Sequence, residues 1–267
     1  MATESATATT TDAARANSRA PRRAKPKAPP ATLILFVRHG TTPTTGQVLP
    51  GRAAGLHLAD TGKAEAEAVA ERIVSLTTPA PAPARAPAPP PAPAPASAKA
   101  TNGRHAPAHP AFTIAAVYAS PLERARETAA PIARRLGHKV TIERGLIEMD
   151  FGEWTGAELK ALRKLPEWSA IQRYPSGFQF PGGEGFSAMR ARMAATVATL
   201  CRRHPDEAIV AVSHADTIKA AVSDALGTHL DLFQRIVVSP CSVTMIRYAP
   251  SGPVVVAVNS TGELRIS

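Results

Sequence analysis

The 267-residue sequence has little cysteine, few aromatic side chains and no long apolar run. Its two cysteines, Cys201 and Cys241, cannot build a disulfide framework, which excludes a small oxidised secreted scaffold. They are expected to act as small apolar residues in a reducing, cytoplasmic compartment. No stretch approaches the roughly 20 apolar residues of a membrane-spanning helix, so an integral helical membrane protein is excluded and no membrane partner is expected. Neither Cys-x-x-Cys nor His-Glu-x-x-His occurs, so no dedicated metal site is expected. Aromatic residues make up 4% of the chain and do not interleave with the basic ones, so no specific nucleic-acid partner is expected.

What the chain does have is a net charge of +10, 26 prolines and 44% hydrophobic residues. The charge is concentrated outside the apolar segments. Residues 1–31 carry Arg15, Arg19, Arg22, Arg23, Lys25 and Lys27 against Glu4 and Asp12. They contain almost no large apolar side chains, so they are expected to be a disordered basic tail. They also lack the apolar core of a secretory signal. Residues 77–111 add Arg85, Lys99 and Arg104 and no acid, in alternating Ala-Pro that favours an extended polyproline spacer. Residues 32–76 hold only one strand and one helix by pattern, too little for a core of their own. The Pro/Ala stretch is therefore read as an insertion into one domain spanning 32–267, and not as a linker between two.

The remaining elements alternate. Thr32–Val37, Thr113–Tyr118 and Ala208–Val212 are short, continuous apolar runs, the pattern of strands buried on both faces. Val140–Ile142, Ser242–Tyr248 and 254–259 read as further strands. Helices are expected from Asp60 or Thr61 to about Leu76, from Pro121 to Leu136, over Phe186–Arg203 and over Thr217–Leu226. In the third, Phe186, Met189, Met193, Val197 and Leu200 form one apolar stripe. This alternation predicts a three-layer α/β/α sandwich around a mostly parallel sheet. Ligands in such sheets bind beyond the strand C-termini.

Three of those strand ends carry the chemistry. Arg38-His39-Gly40-Thr41-Thr42 follows the first run, Ser120-Pro121-Leu122-Glu123-Arg124 the second, and Ser213-His214-Ala215-Asp216 the AIVAV run. Imidazole serves as nucleophile or acid/base near neutral pH, and guanidinium clamps phosphate oxygens through paired planar donors. Brought to one point, these residues make a phosphoryl pocket with a nucleophile inside it.

The segments L-F-V-R-H-G-T-T (35–42), S-P-L-E-R-A-R-E-T-A (120–129), L-I-E-M-D-F-G-E-W-T-G (146–156), P-G-G-E (181–184) and S-H-A-D (213–216) together resemble the histidine phosphatase superfamily, in its phosphoglycerate mutase-like branch. The resemblance covers about residues 32–260 apart from the Pro/Ala stretch. It implies that His39 is the nucleophile that becomes phosphohistidine. It also implies that Arg38 and Arg124 bind the transferring phosphoryl group, that His214 stabilises the transition state, and that Glu148 protonates the leaving oxygen. No cofactor or metal is implied, since arginines and histidines supply the positive charge. Burial would raise the Glu148 pKa and the two arginines would lower it, a contest the sequence leaves open.

The chain departs from the family pattern at several places. Thr41 stands where Glu is common, and Thr45 where many members have a phosphate-binding Asn. Arg52 either approaches the substrate or is a surface residue. Glu184 either supports the pocket or begins the next helix, and Ala215, directly after His214, is counted near the substrate. Asp216 either orients His214 or caps the following helix, with the cap preferred. Phe151 and Trp154 either line the substrate mouth or wedge a loop, and His57, His138, His204 and His229 are taken as surface residues. Only 32 residues separate Glu148 from Pro181, a compact cover for the site. The reading favoured is a phosphatase acting on a small phosphorylated metabolite. The alternatives are a phosphomutase using the same histidine, or a non-catalytic scaffold whose basic tail attracts polyanions weakly and with salt dependence. Oligomeric state is not readable from the chain.

Overall fold

The computed structural model describes residues 30–77 and 113–264. The expected basic tail, apart from residues 30 and 31, and the Pro/Ala insertion, apart from Thr77, lie outside the described residues. Six strands form one sheet: β1 Thr32–Arg38, β2 Ile114–Ala119, β3 Val140–Ile142, β4 Ala208–Ser213, β5 Val243–Ala249 and β6 Gly252–Ser260. Their order across the sheet is β3-β2-β4-β1-β5-β6. The pairs β1–β4, β2–β4 and β2–β3 are parallel, and β5 runs antiparallel to both β1 and β6. β1 therefore lies at the centre of the sheet, although a long segment separates it in sequence from β2.

Alternation along β1 explains its unbroken apolar run. Leu35 and Val37 face α1 (Asp60–Thr77) and α2 (Glu123–Leu136), packing with Val69, Ile73, Ala129 and Ile132. Ile34 and Phe36 face α5 (Phe186–Arg203) and α6 (Ala215–Ala225), packing with Met193, Val197, Ile218 and Val222. With helices on both faces, neither side of a strand can be polar. This is the α/β sandwich the sequence predicts.

Between β3 and α5 two short helices were not anticipated, α3 (Leu159–Leu162) and α4 (Pro166–Arg173). With the 3-10 turns at Gly152–Trp154, Pro175–Gly177 and Leu230–Arg235 they surround a cluster containing Phe151, Phe180, Phe186 and Phe233. Phe151 is buried in edge contact with Phe180, and Trp154 packs on Phe178 and Phe180. The pair thus wedges this cover in place. His204 is not a surface residue: it caps α5 and bonds Tyr118 Oη at 2.8 Å and Glu207 at 2.6 Å. The last predicted helix starts two residues early, at Ala215, because the Thr217 hydroxyl reaches back to the His214 N–H (3.3 Å). Asp216 is therefore inside the first turn and not a cap, and it pairs with Lys219 at 3.2 Å.

One backbone contact holds the turn after β1. Gly62, in the first turn of α1, lies against Thr41, and a Cβ there would sit 2.0 Å from the Thr41 carbonyl oxygen. That same carbonyl accepts from Ala59 N–H at 3.0 Å. Gly→Ala in a helix normally stabilises by up to about 1 kcal/mol. Here Gly62→Ala is expected instead to destabilise by about 1–3 kcal/mol, the usual cost of overpacking. A thermal midpoint equal to or above that of the unmodified chain would show that the turn yields freely.

Candidate active site

The C-terminal ends of β1, β2 and β4 meet at one place. Arg38 ends β1 and His39 follows it. Ser120 follows β2, and Arg124 lies in the first turn of α2. Ser213 ends β4, and His214 caps α6. Two helices, α2 and α6, therefore begin beside the same point, and the positive end of a helix dipole favours an anion. Glu148 enters on the segment between the 3-10 turns Arg144–Leu146 and Gly152–Trp154.

His39 is held on both sides of its ring. Its Nδ1 is 2.8 Å from the Gly40 carbonyl, an acceptor only, so Nδ1 carries the proton and Nε2 keeps its lone pair. The Arg124 Nε–H points at that lone pair from 3.3 Å. The Gly40 N–H donates to Thr128 Oγ1 at 3.0 Å, tying the turn to α2. Burial, with Arg124 and Arg38 beside it, lowers the His39 pKa to about 3, against a weak opposing effect of the Gly40 bond. The ring is neutral at any ordinary pH, and its unprotonated Nε2 faces Arg124.

Around it lie buried nitrogen atoms that find no hydrogen-bond partner among the described residues. Arg124 is wholly buried and donates from Nη2 to the Gly51 carbonyl at 2.7 Å, while Nη1 has no partner. Arg38 donates from Nη1 to the Val238 carbonyl at 2.7 Å, while Nε has none. The His214 ring centre is 5.1 Å from that of His39, its Nε2 is 2.8 Å from Ser120 Oγ, and its Nδ1 is unpartnered. Burial pushes His214 well below the ordinary imidazole value, helped by His39, Arg124, Arg38 and Arg192. An unpaired buried polar group costs about 1–3 kcal/mol, more if charged. Three such groups in one space suit an anionic guest with several acceptor oxygens.

The open contest at Glu148 is decided here. Its carboxyl is buried and its Oε2 is 4.0 Å from His214 Nδ1. Desolvation, reinforced by Asp216, outweighs the Met149 N–H, Arg124 and Arg38, and raises the pKa to about 7. The group can thus give up or take a proton near neutrality. Asp216 acts on it only through its charge, and makes no hydrogen bond to His214.

The weaker candidates divide. Thr45 spends its hydroxyl on the Thr42 N–H (2.8 Å) and the Thr42 hydroxyl (3.0 Å), closing the turn. Thr41 gives both N–H and hydroxyl to Glu65 on α1, at 2.8 and 2.9 Å. Ala215 opens α6 beside His214. Arg52 is not a free surface residue: all three of its nitrogens bond to protein, at Glu148, Asp150 and Glu184. Glu184 lies before α5 and binds Arg52 and Arg192. Two contributors escaped the sequence reading. Ser120 was quoted within its motif but given no role, and its position directly after a strand was the available signal. Arg192 sits between Met189 and Met193 next to an apolar stripe, which reads as an ordinary helix surface.

The family model for histidine phosphatase superfamily, branch 1, matches residues 98–261, more than half of the chain. That span begins after β1, so Arg38 and His39 lie outside it and reach the site through the central place of β1 in the sheet. A bifunctional protein of Mycobacterium tuberculosis is 31% identical over 153 residues, 57% of this chain and 42% of that protein. The chain thus spans about two fifths of that relative's length. Phosphoserine phosphatase 1 of Hydrogenobacter thermophilus is 29% identical over 150 residues, 55% of this chain and 71% of that one. The structure of mycobacterial glucosyl-3-phosphoglycerate phosphatase has the same fold, with a TM-score of 0.65 at 20% identity, covering 86% of this chain and all of that one. The chain belongs to the histidine phosphatase superfamily.

Proposed function

We propose that this chain is a phosphatase that hydrolyses a small phosphomonoester through a phosphohistidine at His39. One observation carries the reading. Among the described residues, Arg38 Nε, Arg124 Nη1 and His214 Nδ1 are buried nitrogen atoms without hydrogen-bond partners beside a neutral His39. Relatives named for phosphoserine and for glucosyl-3-phosphoglycerate support small phosphorylated metabolites as the substrate class.

In this reading the phosphoryl oxygens take the unpaired donors of Arg38, Arg124 and His214. Phosphoryl transfer is largely a matter of positioning and charge stabilisation, and these groups supply both. A phosphoryl oxygen facing His214 Nδ1 selects the tautomer protonated there. Ser120 then donates its hydroxyl proton to Nε2. His39 Nε2 attacks phosphorus in line, and the bond to the ester oxygen breaks. Glu148, protonated below about 7, gives its proton to that oxygen and the alcohol departs. The Glu148 carboxylate then takes a proton from water as the water oxygen attacks phosphohistidine. Inorganic phosphate leaves, and His39 and Glu148 return to their starting states. A phosphomutase would share the first half and replace water with a second substrate oxygen. The compact cover built from α3 and α4 favours water access.

Phosphate release from a panel of small alkyl phosphomonoesters, with an aryl phosphate alongside, tests the reading. His39→Ala is expected to lose at least about 10³-fold in kcat on all of them. Retained turnover would remove the assignment, and phosphohistidine without phosphate release would move it to a mutase. Glu148→Gln should lose about 10²- to 10⁴-fold on alkyl esters, and far less on the aryl ester, whose leaving group needs no proton. The first step needs Glu148 protonated. With its pKa raised to about 7, activity on alkyl esters should fall as pH rises through about 7, and Glu148→Gln should abolish that limb.

The same shift has a stability sign. A carboxyl raised from 4.5 to about 7 adds stability that is full below 4.5 and lost as pH rises through about 7. Glu148→Gln should therefore melt higher than the unmodified chain at pH about 8, with a smaller gap at pH about 5. Calorimetry showing the reverse order would mean that Glu148 is held as an anion.

A further inference from the structure

Glu148 does its proposed work from a loop, where a carboxyl has no helix or strand to hold it. Around that loop two guanidiniums share one carboxylate. Arg192, on α5, donates from Nη1 to the carbonyls of Gly145 and Ile147, both at 2.8 Å. Its Nε and Nη2 reach the two oxygens of Glu184 at 3.0 and 2.8 Å. Arg52 donates from Nη2 to Glu184 at 3.0 Å, from Nη1 to Asp150 at 3.3 Å and from Nε to the Glu148 carbonyl at 2.8 Å. Glu184 itself exchanges backbone and side-chain bonds with Asp150. Every arm of the network ends on residues 145–150 or on another arm.

The bond to the Glu148 carbonyl matters most. That carbonyl and the Met149 N–H belong to one peptide unit, which is planar and nearly rigid. The Met149 N–H donates to Glu148's own Oε1 at 2.9 Å. Holding the carbonyl at one end of the plane aims the N–H at the other, and the N–H orients the carboxyl. We propose that Arg52, braced through Glu184 by Arg192, is a positioning residue for the proton donor. The clamp sets the direction of the Glu148 carboxyl through the 148–149 peptide plane and does not contact the substrate. The proposal rests on the reading of Glu148 as proton donor. The network is only partly exposed, with 31%, 15% and 22% of the Arg52, Glu184 and Arg192 side chains accessible. Partly buried ion pairs often add little net stability, so orientation is the contribution the geometry favours. A donor misplaced by about 1 Å can cost about 100-fold.

The test is Arg52→Met in the full chain, assayed on an alkyl and an aryl phosphomonoester. We expect kcat on the alkyl ester to fall at least tenfold with KM within twofold, and the aryl ester to lose far less. The alkaline limb should move upward, since the carboxyl loses the N–H that favours its ionised form. In a Glu148→Gln background the same substitution should cost little more, because it acts through that carboxyl. A raised KM with kcat kept would overturn the proposal by placing Arg52 on the substrate. Equal losses on both esters, or full extra loss in the Glu148→Gln background, would overturn it as a general structural role. If Glu148→Gln itself fails to separate the two esters, the proton-donor reading falls and the clamp with it. If Glu148→Gln separates them and Arg52→Met does not, only the clamp falls. Should Arg52→Met not fold, Glu184→Gln, which removes the shared charge and keeps the shape, is read by the same ratios.

Discussion

A concentration of buried nitrogen donors governs this molecule. Arg124 is wholly buried, and two neutral imidazoles share its space. Removing a guanidinium from water is costly unless its donors are used. The protein uses some of them, through the carbonyls of Gly51 and Val238, and leaves others free. The free donors are a standing demand for oxygen acceptors. His39 is kept neutral first by its burial and then by the same charges, because a further cation in that space would be both desolvated and repelled.

The sheet makes this arrangement affordable. Strand ends of β1, β2 and β4 are brought within one pocket by parallel pairing, and apolar helices cover both faces. The polar groups are therefore confined to the rim where the strands stop. The turn after β1 is pinned from three directions: by Glu65 and Gly62 on α1, by Thr128 on α2, and by the Ser213 carbonyl at the His39 N–H. Such redundancy suits the proposed role of His39, which must hold its angle while the ligand comes and goes.

Glu148 differs from these groups, since its buried carboxyl comes from a loop. Its raised pKa reflects desolvation prevailing over nearby arginines. The charges that fix its loop, on Arg52, Glu184 and Arg192, are kept apart from it and act through backbone carbonyls. This separation lets a loop be held by ion pairs without an ion pair capturing the acid itself.

The sequence alone determined the layer architecture, because strands covered on both faces must be apolar throughout and helices covered on one face must be striped. It also determined which strand ends bear the imidazoles and guanidiniums, because those residues directly follow the apolar runs. The start of α6 was misread by two residues because its cap is the Thr217 side chain, three positions on from His214. The short helices α3 and α4 were not legible, since their burial comes from an aromatic cluster assembled from distant segments. Only tertiary structure decided that Thr45 closes a turn, that Thr41 binds Glu65 on α1, that Arg52 bonds to the Glu148 loop, and that Ser120 partners His214. Only it decided that the Glu148 pKa moves upward, because a pKa depends on the depth of burial and on distances to charges up to many residues away.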